Sequence, residues 1–317
     1  MQSIHSARAE SCNGLLLIML AAVLWGTVGI STNIIYKLAA TNPLSIGFFR
    51  LTTSLPVLFF MCWVRLGTQM FRVSCGDLAL MALIGLLTAL YQVCFFGAIA
   101  RTGVAVATVV TLCTAPVMVA VVSAAFARKR TSRTMLAALA GSLSGTSLLV
   151  LFQEQSNSYG ADAGGIGLAL VSAFCYGMMT IFSQKMAARR DPFQSLAISF
   201  SLGAAMLFAF AHSRGIVTTY TPQAWMLLVY LGTIPTALAY VLFFNGMRST
   251  SATAASISTL VEPMVATLLA WFLFGERCTP VGFLGIALLA GSLLLLYLGA
   301  TASLRKKGTI VADAGVR

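Results

Sequence analysis

Acid is what this sequence has least of: eight Asp and Glu stand against twenty Lys and Arg in 317 residues, and charge of either sign makes up only 9% of the chain. That is too little to cover a soluble domain of this length. Histidine is nearly absent, with His5 near the N-terminus and His212 at the end of an apolar run, and no HExxH occurs. A nucleophile such as Ser144 therefore has no base to activate it. The seven cysteines (12, 62, 75, 94, 113, 175 and 278) form no CxxC pair and mostly lie in apolar stretches, so they read as small core residues with no metal or disulfide role. No GxxxxGK[ST] loop is present, which excludes ATP-driven work through such a loop, and no resident cofactor is expected. The net charge of +12 does not point to nucleic acid, because the basic residues are scattered through short loops with no soluble domain to carry a binding face.

What the chain does have is hydrocarbon. Apolar residues make up 59% of it and mean hydropathy is +0.92, and runs of about 20 apolar residues recur almost to the end, which is an all-α polytopic membrane protein in a lipid bilayer. Ten spans are expected at about 14–36, 44–64, 77–99, 103–126, 131–151, 166–186, 193–212, 222–245, 252–274 and 279–300, with breaks at Pro43, Gly76, Gly103, Pro192, Pro222 and Pro280. With both termini cytoplasmic, 15 of the 20 basic residues fall inside, which chooses the orientation and the cytoplasmic (inner) membrane. Residues 1–13 and 301–317 are then cytoplasmic tails and 152–165 an external linker between two five-helix units, 14–151 and 166–300.

The two units repeat each other. Leu24-Trp-Gly26 matches Cys175-Tyr-Gly177, Phe95 to Thr102 matches Phe243 to Thr250, Pro116 matches Pro263, and Ala140-Gly-Ser-Leu143 matches Ala290-Gly-Ser-Leu293, at offsets of 147 to 151. Five spans is an odd number, so the second unit enters the membrane from the opposite face and the repeat is inverted. These paired motifs, with Arg50, the tight Thr102-Gly-Val-Ala-Val-Ala107 and Thr250-Ser-Ala-Thr-Ala-Ala255 entries, Glu262-Pro263 and Phe274-Gly-Glu276, resemble the drug/metabolite transporter superfamily, specifically its EamA-type branch with two EamA repeats. The resemblance covers about residues 14–300 and implies ten transmembrane helices around a central cavity, exporting amino acids or related metabolites. The chain departs from the pattern at Ala127-Arg128, where a Gly-Glu pair would end the fourth span.

Glu262 is the one acid expected deep in the bilayer, roughly 15 Å from the membrane face if its helix starts near Ala252. It reads either as a proton- or cation-binding group facing the cavity or as a neutral glutamic acid hydrogen-bonded to a neighbouring helix. Pro263 beside it cannot donate its backbone nitrogen and is expected to kink the helix; with its repeat partner Pro116 it makes a candidate pair of gates. Arg50, about six residues into its span, can hold a substrate carboxylate or pair with Glu262, or else snorkel to the outer headgroups. Trp25, Tyr91, Gln92, Tyr176 and Tyr240 are candidate substrate contacts by stacking and hydrogen bonding, with space filling between helices as the plain alternative. Asn33, Thr114 and Asn245 are further candidate polar linings. Gly141-Ser-Leu-Ser-Gly145 permits close helix approach, within the protomer or across a homodimer.

The function these features point to is secondary transport of a small metabolite, outward, by alternating access, with proton coupling through Glu262. Broad multidrug or cation efflux and sugar-type import remain open alternatives. An intramembrane enzyme would need an acid/base pair, an activated nucleophile or metal ligands; a receptor or scaffold would need larger extramembrane surfaces.

Overall fold

Proline marks where several helices begin. A proline at the first helical position lacks only an N–H that no helix would bond, and its φ is already helical. The computed structural model describes residues 2–127, 132–151, 162–274 and 280–314. The helices are α1 Gln2–Leu38, α2 Pro43–Leu66, α3 Cys75–Ala127, α4 Arg133–Leu151, α5 Ala163–Ala187, α6 Pro192–Arg214, α7 Pro222–Gly232, α8 Ala239–Met247, α9 Ala252–Ser258, α10 Val261–Phe274 and α11 Pro280–Ala314. The breaks expected at Pro43, Pro192, Pro222 and Pro280 are thus helix starts. The first three are capped by the preceding side chain: Asn42 accepts from Ser45 N, Asp191 from Phe193 N and Thr221 from Ala224 N.

The fold is all-α among the described residues, and nine of their segments are long and apolar enough to cross a membrane. The remaining expected span is α4, a helix of 19 residues packed along α11. Two differences from the sequence reading concern the ends. Helical backbone runs outward through the expected tails, from Gln2 and as far as Ala314, because no proline interrupts either segment. The loops at Arg128–Arg130 and Glu276–Arg277, and most of the 152–165 linker, lie outside the described residues.

Spans three and four share the single helical element α3, 53 residues without a non-helical residue. It is nevertheless not one rod. Tyr91 packs against Tyr176 with ring centroids 5.4 Å apart, while Val119, 28 residues further on, packs against Gly177 next door. In a straight helix those two α3 residues would be about 42 Å apart. The backbone therefore reverses between Thr102, which touches Gly165, and Thr111, whose hydroxyl donates to Ala169 O at 3.2 Å. The break expected at Gly103 is a reversal within helical turns, and both arms of α3 clasp α5.

The repeats run antiparallel. Along α2 and α6, Phe48 meets Phe208 at 5.5 Å, Leu51 meets Gly203 and Arg65 lies 4.9 Å over the Phe193 ring, so one chain direction opposes the other. Along α4 and α11, Gly141 meets Ser292 and Gly145 meets Leu289 in the same opposed sense. Equivalent helices pointing in opposite directions are what an inverted repeat requires. The contacts between units are themselves paired. A Cβ on Gly26 would come within 3.0 Å of Glu262 O, and one on Gly177 within 3.5 Å of Ala115 O. Likewise Gly85 lies on Gly203 of α6 and Gly232 on Ser54 of α2. Each unit thus lends its first and third spans to the fourth and second of the other, and the centre of the molecule lies where these crossings meet. The GxxxG segment of α4 is occupied by α11 of the same chain.

Candidate functional site

The substrate-site residues singled out from sequence sit on six different helical segments, and the crossings just described bring residues from all six near one another. A proline decides the placement of Arg50. Pro235 lies inside the eighth expected span, where it leaves Leu231 O without its usual donor four residues on. The chain widens there into a π-turn over Thr233–Leu238, and Thr236 turns its hydroxyl back to donate to Leu231 O at 2.7 Å. The same hydroxyl accepts Arg50 Nε at 2.8 Å. Arg50, half-buried on α2, is therefore held by one edge, with Nη1 and Nη2 bonded to nothing among the described residues.

Glu262 is placed by the helix interruption before Pro263. Thr259 O is the carbonyl Pro263 cannot serve, and it accepts instead from Glu262 N at 3.0 Å, a tighter i−3 turn; Leu260 N donates to Ile257 O at 3.1 Å in the same way. Residues Thr259 and Leu260 fall between α9 and α10. The half-buried carboxyl makes no hydrogen bond or ion pair among the described residues. It lies within electrostatic reach of Arg50, and the hydroxyls of Tyr91, Tyr176 and Tyr240 lie within reach of it. Those partners come from α2, α3, α5 and α8, so helices of both units lie around Glu262. The ion pairs the structure does contain, Arg65–Asp191, Arg101–Asp162 and Asp77 with Arg189 and Arg190, are elsewhere.

Aromatic rings enclose this space. Tyr240 meets Trp25 at a tilt with centroids 4.9 Å apart and Phe200 edge-on at 5.0 Å, while Trp25 also touches Phe243 at 5.4 Å. Tyr176, opposite, is in contact with Tyr91 and within hydrogen-bonding reach of the Thr259 hydroxyl, which belongs to the interrupted turn. Trp25 is 5% exposed and its Nε1 has no acceptor among the described residues. An unsatisfied buried donor costs about 1–3 kcal/mol, so a ligand oxygen there would recover that loss.

Other sequence candidates are placed differently. Gln92 is buried with Oε1 against Gly47, three residues before Arg50 on α2. Asn245 donates to Val241 O of its own helix at 3.0 Å, and Asn33 is exposed. The two prolines are not equivalent: helical residues run without interruption through Pro116, whereas α9 and α10 are separate before Pro263. Pro235 and Thr236 were not singled out from sequence. A proline well inside a span and followed by a hydroxyl residue was the signal for them.

A helical bundle of two inverted repeats, with an arginine and a glutamic acid gathered between them, defines a polytopic membrane transporter. The EamA-like transporter family matches residues 13–151 and 163–298, and the chain belongs to that family. An uncharacterized transporter from Bacillus subtilis (strain 168), YwfM, is 31% identical over 297 residues, covering 94% of this chain and 96% of the relative. An uncharacterized inner membrane transporter from Salmonella typhimurium (strain LT2), YicL, is 26% identical, over 90% of this chain and 95% of the relative. A solved crystal structure superposes with a TM-score of 0.76 at 20% identity, over 90% of this chain and 97% of the other, a likeness of fold.

Proposed function

We propose that this transporter is a secondary exporter of a small metabolite carrying a carboxylate, such as an amino acid or a related compound, and that it works by alternating access with proton coupling through Glu262. The observation that carries the reading is that Arg50 and Glu262, brought from α2 and α10 to within electrostatic reach of each other, form no ion pair among the described residues. Two opposite charges left apart in low dielectric are costly, about 2.5–3.5 kcal/mol for an arginine alone on insertion scales. A zwitterion or a proton would relieve both. Arg50 offers two terminal nitrogens, the geometry that receives a carboxylate bidentately. The Tyr and Trp faces suit an apolar or aromatic remainder of the molecule.

Pro263 supports alternating access, because the interrupted turn at Thr259–Leu260 can change shape without breaking a continuous helix. The distribution of basic residues supports a cytoplasmic-membrane location with both termini cytoplasmic. Transport needs no covalent step, and a lone Glu262 supplies half of an acid/base pair, so the reading does not include an enzymatic activity.

The test has two stages. Media from cells overproducing and lacking the protein are compared by metabolomics to find the exported compound. Uptake of that compound into proteoliposomes is then measured at imposed pH gradients for wild type and Glu262→Gln. Gradient-driven uptake in wild type that is lost in Glu262→Gln is expected. Unchanged gradient dependence in the variant would remove the proton role, and no difference between the media would remove the export reading.

A further inference from the structure

Three arginines crowd one end of the bundle around a depression of about 540 Å³ that the central site does not use. It is bounded by Ala187 to Asp191, the turn from α5 to α6, and by Arg248 in the turn from α8 to α9. Much of the arginine here is already bound. Arg248 Nε donates to Ala187 O at 3.0 Å and its Nη2 to Arg190 O at 3.2 Å, while Arg190 Nε donates to Asp77 at 2.7 Å and its Nη1 to Arg72 O at 3.1 Å.

These bonds fix the guanidinium groups without neutralising the site. Asp77 is taken up by Arg190, with Arg189 at 3.9 Å as a second, looser partner. Asp191, the acid on the wall, is committed twice, accepting Phe193 N as the cap of α6 and lying 3.8 Å from Arg65 Nη1. Among the described residues nothing else holds Arg248 Nη1 or Arg190 Nη2, and the Arg189 side chain is 64% exposed. The depression therefore presents free N–H groups from Arg190 and Arg248, whose positions are set by backbone carbonyls, beside the exposed and loosely held Arg189. Such a pocket at the ends of membrane helices, with three guanidinium groups at its wall, suits a tetrahedral oxyanion.

We propose that this depression binds a phosphate group, carried by the headgroup of an anionic phospholipid or by a soluble phosphate compound. The inference does not depend on what the central site transports, and its test reads binding alone. Thermal unfolding of the detergent-purified full chain is followed with dioleoyl-phosphatidylglycerol, with dioleoyl-phosphatidylcholine, whose phosphate is balanced by its own ammonium, and with inorganic phosphate against chloride of equal ionic strength.

Phosphatidylglycerol near 100 times its Kd is expected to raise the melting temperature by about 5 °C. Arg189→Glu should lose most of that shift. Arg133→Glu, the same charge change at the start of α4 outside the depression, should keep it. Arg189→Gln, which removes the cation with a smaller perturbation, should lose the larger part as well. A shift with inorganic phosphate that follows the same pattern, without one for phosphatidylglycerol, would identify the soluble source. Equal shifts with both lipids and no phosphate effect, or equal losses in Arg189→Glu and Arg133→Glu, would mean bulk attraction to a basic protein and overturn the site.

Discussion

Arg50 shows how much one proline can do at a distance. Pro235 removes a donor, Leu231 O takes Thr236 in its place, and Thr236 then holds Arg50 Nε. The order of cause runs from a missing N–H to the aim of a guanidinium on another helix. Thr236→Val keeps the shape and removes both bonds, so it should raise the KM for the transported compound roughly 5- to 10-fold, the effect of about 1–1.4 kcal/mol. Thr236→Ser should restore most of the wild-type value, which separates the hydroxyl from mere packing. Arg50→Lys keeps the charge but replaces the two-pronged edge with a point donor, and on the proposed reading should cost roughly 10-fold or more in KM. Both are read from concentration dependence of proteoliposome uptake.

At the scale of elements, close crossings depend on missing side chains. Gly85 on α3 packs onto α6, and Gly232 at the end of α7 packs onto α2 where a Cβ would stand 2.9 Å from Ser54 N. Gly232→Val must push two helices apart or strain its own rotamer, and a loss of about 1–3 kcal/mol is expected, read as a lower melting temperature in detergent. Gly29, which meets nothing within 4 Å, should accept the same substitution with little change. The interruption between α9 and α10 makes a second prediction. Pro263→Ala returns an N–H that can bond Thr259 O, so the two helices should join, stability should rise and transport should slow, since the turn that changes shape is lost. A variant that transports at the wild-type rate with α9 and α10 joined would show that the interruption is only structural.

The whole molecule is an inverted repeat whose two halves lean on each other rather than on themselves. Its orientation rests on the basic residues, so green fluorescent protein fused after Arg317 should fluoresce in a bacterial host, and alkaline phosphatase fused at the same point should stay inactive. The reverse pattern would invert the proposed topology. The number of spans, the repeat and the helix starts were legible because hydrocarbon length, proline and paired motifs are local signals, strong in lipid where every backbone bond must be made within the segment. Glu262 and Arg50 were legible as well, since a charge inside an apolar run is conspicuous without a fold.

Adjacency was not legible. That Glu262 lies within reach of Arg50 and three tyrosines depends on which helix crosses which, set by contacts such as those of Arg50 with Thr236 and Glu262, 186 and 212 residues away. Nor could sequence show that equivalent prolines would differ. Pro116 passes through an unbroken helix, while before Pro263 the chain tightens at Thr259 and Leu260. The amino-acid sequence by itself determined that this chain spans a membrane as two opposed copies of one unit, because partition into hydrocarbon is a property of segments. Only the tertiary structure decided where the charges meet and which proline opens its helix, because those follow from packing between segments that each sequence stretch specifies for itself alone.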